Sequence, residues 1–187
     1  MQEHAAHLAH HAIGAMILTF FGSVWLITAC LNMSDAGPWA VPAILILALG
    51  IYALAMRRFL RHRVALRSWG ALPAARRMRR QLMIVNIAQG IAMFAAVNVL
   101  ANLGLQAWIL PALILVVGVH FLPLARMLHA PAYNLTAGAL IAIVLIYPTL
   151  TAAGPQNPLG AAAAGLVLWA TALSRLLPLR AGYSAAV

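Results

Sequence analysis

The feature that most constrains this chain is an apolar run at residues 108–128, WILPALILVVGVHFLPLARML. A helix of this length extends roughly 30 Å, which is enough to cross the hydrocarbon core of a bilayer. The run contains one histidine, His120, and one proline, Pro123, and its apolar character stops at Arg126. A membrane helix has little reason to carry any of these three features by accident, so each of them is informative.

The composition extends this constraint to the whole chain. Of the 187 residues, 65% are hydrophobic and 7% are charged, and the mean hydropathy is +0.95. A soluble domain carries about 25% charged residues, from which it builds its polar surface. We therefore predict one membrane domain over residues 1–187, with a lipid-facing outer surface and no separate soluble domain.

Six apolar runs joined by short connections predict an all-α polytopic membrane protein with six transmembrane helices. The predicted spans are residues 13–31, 39–56, 82–103, 108–125, 134–150 and 159–177. A basic cytoplasmic loop, residues 57–81, separates the second span from the third. The spacing of its arginines suggests short helical extensions of both neighbours, which meet at Gly70 and Pro73.

The arginines indicate the orientation of the spans. All twelve basic residues are arginine, nine lie between Arg57 and Arg80, and the other three each follow an apolar run. The connections at 32–38, 104–107 and 151–158 contain none. The positive-inside rule then predicts three outward-then-inward hairpins with both termini in the cytoplasm. The alanine-rich, lysine-free composition favours a bacterial inner membrane.

The formal net charge of +10 could also suggest a nucleic-acid-binding protein. Clustering of the arginines between two spans favours a topology signal that also contacts anionic lipid headgroups at Arg57–Arg80. We therefore expect the lipid bilayer as a partner and no nucleic acid. A homodimer is a further candidate assembly, because six short helices enclose little interior volume.

Polar side chains inside the predicted spans form the candidate ligand-binding site. Those at similar depth, counted from the basic ends of the spans, are His120, Asn86, Gln89, Tyr52, Thr19 and Thr171. We take the first four as candidate ligand-binding residues, since intramembrane polar groups are default functional candidates and an imidazole titrates near neutrality. The alternative interpretation is that the amides only hydrogen-bond between helices and that the histidine is a packing residue.

Four histidines precede the first span, at helical spacing. Within this group His7 and His11 are related as i and i+4 and could chelate a transition metal, with Glu3 on about the same stripe. The alternative is a weakly charged helical segment lying on the membrane surface. The two histidines are thus candidate metal ligands, and the sequence indicates no cofactor.

What the spans lack argues against several enzyme classes. The chain has two acidic residues, Glu3 and Asp35, and neither lies in a span, which disfavours carboxylate-driven ion coupling, magnesium-dependent transferases and intramembrane proteases. A bis-histidine haem would need a partner for His120 that no other span offers. A single cysteine, Cys30, excludes an intrachain disulfide; it follows a lipobox-like ITA, but the basic segment of a lipoprotein signal is missing. We assign no catalytic residues.

The segment HFLPLAR at residues 120–126, followed by Tyr133 and by the tripeptide 136–138, resembles a pattern in small multi-pass bacterial inner-membrane proteins of unknown function. That resemblance implies a helical bundle and lends no activity. We expect a small transporter, or a substrate-binding or channel-like protein, with its site in the cytoplasmic half. The alternatives are a non-catalytic membrane partner or assembly subunit and, third, a membrane enzyme with a histidine-based site.

Overall fold

The computed structural model describes residues 2–70 and 73–177, with side chains for 8–64, 73 and 75–177. This part of the chain is all-α, as predicted. The helices are α1 Gln2–Leu31, α2 Ala40–Gly70, α3 Pro73–Asn102, α4 Ile109–Met127, α5 Ala132–Leu150 and α6 Leu159–Leu176. Each helix contains a segment long and apolar enough to cross a membrane, which confirms six candidate spans.

The basic loop is helical over most of its length. Helix α2 continues past its apolar part to Gly70, and α3 begins at Pro73, where the two predicted extensions were expected to meet. Helix α1 extends back to Gln2, so the histidine-rich segment continues the helix of the first span. The side chain of His7 lies outside the described side chains.

The helices pack side by side in the order α2, α1, α6, α5, α4, α3. The predicted hairpins α1–α2, α3–α4 and α5–α6 each pack together, and contacts of α1 with α6 and of α4 with α5 join them. Helix α6 is central, with 44% of its span buried, whereas no residue in the most apolar part of α3 is buried. Helices α2 and α3 therefore form the two edges of the bundle.

Three contacts place the basic ends of the helices together. The Arg58 guanidinium of α2 donates to the Leu176 carbonyl at the end of α6. The Tyr133 ring at the start of α5 lies 5.4 Å from the Phe121 ring of α4, and its hydroxyl lies against Gly14 of α1. We call this the basic end. The arginine-free connections lie at the opposite end.

A tight turn between α4 and α5 brings Tyr133 back onto α4. The Ala130 amide donates to the Ala125 carbonyl at 3.0 Å and the His129 amide donates to the Arg126 carbonyl at 3.3 Å, as in a Schellman motif. His129 has a positive φ of 47°, the left-handed conformation that such a motif requires. The position of His129 is therefore set by the reversal of the chain.

Helices α1 and α6 approach each other closely. A Cβ added at Gly165 would lie 2.7 Å from the Gly22 carbonyl oxygen and 2.6 Å from the Leu26 side chain. The Trp169 indole N–H lies 3.2 Å from the Thr19 carbonyl oxygen. The small-residue segment 161–165 is thus mostly buried inside the bundle and does not form an exposed stripe.

We predict that Gly165→Ala lowers the free energy of unfolding by about 1–3 kcal/mol, the usual result of overpacking, despite the better helix propensity of alanine. Gly138→Ala is the matched control, because nothing lies within 4 Å of a Cβ added there. Thermal unfolding of the detergent-purified variants measures both changes. Equal midpoints for the two variants would show that the α1–α6 contact leaves room for the added methyl group.

Candidate functional site

Polar side chains of α5 and α6 form a buried cluster at the basic end. Its members are Arg175, Tyr133, Thr136 and Thr171, each less than a tenth exposed. The guanidinium carbon of Arg175 lies 4.6 Å from the centroid of the Tyr133 ring and close to its hydroxyl. The hydroxyl oxygens of Thr136 and Thr171 are 2.7 Å apart. We name these four residues the arginine cluster.

Helix geometry explains how four residues from two segments meet. Thr171 and Arg175 are related as i and i+4 on α6, and Tyr133 and Thr136 as i and i+3 on α5, so each pair shares a helix face. The threonine hydroxyls also contact carbonyl oxygens of their own helices, at 3.1 Å and 2.8 Å. The threonines are therefore satisfied locally, and the arginine is the member with donors to spare.

Arg175 carries a buried positive charge that no described carboxylate neutralises. Its Nε is buried without a hydrogen-bond partner among the described residues. The one acid whose side chain is described, Asp35, lies in the α1–α2 connection at the opposite end of the bundle. The C-terminal dipole of α6 and the face of the Tyr133 ring compensate part of the cost of burial. An anion would compensate the rest.

Three of the four predicted ligand residues lie on α3 and α4, two helices that pack together, but only His120 and Gln89 are part-buried there. His120 of α4 lies against the backbone of Val85 on α3, and its Nδ1 is buried without a hydrogen-bond partner in the described part of the chain. Gln89, one turn further along α3, is half-buried, and Asn86 is exposed. Tyr52 is 41% exposed on α2, which packs mainly on α1, so it is not grouped with the other three.

The arginine cluster was not predicted as a site. Thr171 belongs to the predicted polar layer, but Arg175 was interpreted only as a topology signal. The i, i+4 spacing of these two residues is the available signal, and it is weak. Arg126 stands at the corresponding end of α4 and is exposed, so position in a span does not distinguish a buried arginine from an exposed one.

A metal site at His7 and His11 stays a prediction. His11 is half-buried on α1 and, like His10, takes part in an interaction within the protein. Among the described side chains, no three histidine, cysteine or acidic residues are grouped so as to hold a metal ion. The side chain of His7 lies outside that set.

Comparison of the chain with protein-family models, curated proteins and solved structures finds no match. The described residues form an all-α fold of six helices long and apolar enough to cross a membrane, which indicates the class of multi-pass membrane proteins. Fold alone does not imply an activity, so the function has to be argued from the site.

We predict that Tyr133→Phe changes stability by less than about 1 kcal/mol, because the ring face under Arg175 is kept. Tyr133→Leu removes that face and should cost about 1–3 kcal/mol. A double-mutant cycle with Arg175→Gln, measured by unfolding in detergent, isolates the contact. A coupling of zero between positions 133 and 175 would show that the ring does not stabilise the guanidinium.

Proposed function

We propose that this chain is a multi-pass protein of the bacterial inner membrane that binds a small anionic ligand, as a small transporter or substrate-binding membrane protein. The observation that carries the proposal is the Arg175 guanidinium, which is buried on an aromatic ring without a described counterion. A guanidinium offers several N–H donors in a planar fork that fits carboxylate or phosphate oxygens.

The charges around the cluster support an anionic ligand. Arg58 lies beside it, because it donates to the carbonyl of Leu176, the residue after Arg175. Helical extensions of α2 and α3 carry further exposed arginines to the same end of the bundle. Clustered charges of one sign raise the local concentration of oppositely charged ligands and their association rates.

In this proposal His120 and Gln89 have a different role from the arginine cluster. They lie where α3 contacts α4, and α3 is the helix with the least buried surface. A movement of α3 during transport would therefore disturb few packed contacts, and His120 would be at the surface that moves. Asn86 lies on the same helix, and Tyr52 is the candidate furthest from this arrangement.

A second candidate function is that of a non-catalytic assembly subunit. The exposure of the edge helices favours it: only 11% of the span of α2, and none of that of α3, is buried. In this case the arginine cluster is a packing device, and the edges are sites for a partner or for a second copy.

We place the basic end and both termini in the cytoplasm, following the positive-inside rule. Single cysteines in a Cys30→Ala background test this orientation in intact bacterial cells. An impermeant maleimide should label Asp35→Cys directly, and Arg63→Cys only after the membrane is permeabilised, since both positions are exposed and lie at opposite ends. The reverse pattern would overturn the orientation and with it the cytoplasmic site.

The ligand proposal is tested by thermal unfolding of the detergent-purified protein with chloride, sulfate, phosphate and small carboxylates. A ligand that binds the folded state at 100 times its Kd stabilises it by about 2.7 kcal/mol. We expect at least one anion to raise the midpoint of the wild type, and Arg175→Gln to abolish the effect.

Arg126→Gln is the matched control, because it removes the same charge from an exposed helix end. Equal stabilisation of both variants would mean nonspecific ion effects and would overturn the assignment to Arg175. If no anion stabilises the wild type, the assembly function is preferred. Uptake of the stabilising anion into proteoliposomes, with His120→Ala as a further variant, then distinguishes a transporter from a binding protein.

A further inference from the structure

We infer that the exposed face of α3 holds an anionic phospholipid from the leaflet at the basic end. The inference does not depend on the arginine cluster, which is formed by other helices. It rests on a groove, on an amide without a partner and on the sign of the charges beside them.

The groove is an open depression of about 460 Å³ on the surface of α3, lined by Arg79, Leu82, Met83, Asn86 and Ile87. From Arg79 to Ile87 the helix rises about 12 Å, the depth over which a lipid passes from phosphate to acyl chain. The lining residues follow the same order along the helix. The Arg79 cation lies nearest the basic end, and the Asn86 amide and the apolar side chains lie deeper.

The face of α3 that contains the groove is not covered by another helix. Asn86 is exposed, and its amide makes no hydrogen bond within the described part of the chain. Gly90, one turn deeper, has nothing within 4 Å of an added Cβ. Acyl chains alone cannot satisfy the Asn86 amide, whereas the ester oxygens of a lipid in the groove accept hydrogen bonds.

Charge decides between a lipid and a second copy of the chain. Arg76 and Arg79 are related as i and i+3 on the same side of α3, and both are exposed. Two copies that met along this face would bring four guanidinium groups together, and no acidic side chain among the described residues of this face would neutralise them. A lipid phosphate instead neutralises the charges, and juxtamembrane arginines are attracted to anionic headgroups.

The test uses the full chain, delipidated in detergent, and dioleoyl phosphatidylglycerol as the probe, with native mass spectrometry and thermal unfolding as readouts. We expect one lipid molecule to be retained and to raise the unfolding midpoint, and phosphatidylcholine to do neither. Inorganic phosphate is compared in the Arg175→Gln variant, where the arginine cluster cannot bind it, and should not raise the midpoint there. Arg79→Gln should weaken lipid binding about five-fold, the effect of removing one arginine contact. Asn86→Leu should weaken it as well.

Arg77→Gln is the matched control: it removes an exposed charge two residues away, on the opposite side of the same helix. An equal loss in Arg77→Gln and Arg79→Gln would show a net-charge effect and overturn the site. Equal stabilisation by phosphatidylcholine, or by inorganic phosphate in the Arg175→Gln variant, would also overturn it. A concentration-dependent dimer that Asn86→Leu dissociates would identify a second copy as the occupant. Arg175→Gln should leave lipid binding unchanged, so this result and the soluble-anion result are independent.

Discussion

The packing of α6 against α1 is the interaction on which the rest of the bundle depends. Lipid tails are as apolar as the side chains of the protein, so membrane helices associate through close packing and interhelical hydrogen bonds. Gly22 and Gly165 let the two backbones approach, and Trp169 donates its indole N–H across the interface to the Thr19 carbonyl. Since α1 and α6 are the first and last of the described helices, their contact joins the first hairpin to the last and leaves α2 and α3 at the edges.

Glycines also make room for two tyrosine rings, one of which belongs to the candidate site. A Cβ at Gly160 of α6 would lie 2.5 Å from the Tyr147 ring, and a Cβ at Gly14 of α1 would lie 3.1 Å from the Tyr133 hydroxyl. The second contact fixes the Tyr133 ring next to Arg175. The burial of this arginine is thus a consequence of helix packing, because α6 is central and Arg175 lies on the side of its last turn that contacts Tyr133 of α5.

The sequence predicts the elements of this fold better than their arrangement. Span length and hydropathy are local properties, so the six helices and the junction between Gly70 and Pro73 could be predicted. The order of the helices could not, because apolar side chains face both lipid and protein, and hydrophobic periodicity does not distinguish the two surfaces. For this reason Tyr52 and His120 have a similar predicted depth but lie at different helix–helix interfaces. For the same reason the sequence did not distinguish the buried Arg175 from the exposed Arg126.

Charge balance connects the two binding proposals. The chain contains twelve arginines and two acidic residues, so it cannot neutralise its own positive charge. At exposed positions such as Arg79, water, salt and lipid phosphates screen the charge at little cost. At Arg175 the side chain is buried and such screening is reduced, so an unneutralised guanidinium is expensive there. On the two proposals, a counterion of Arg175 would have to enter the protein, whereas that of Arg79 would stay in the membrane, so the two sites should select different anions.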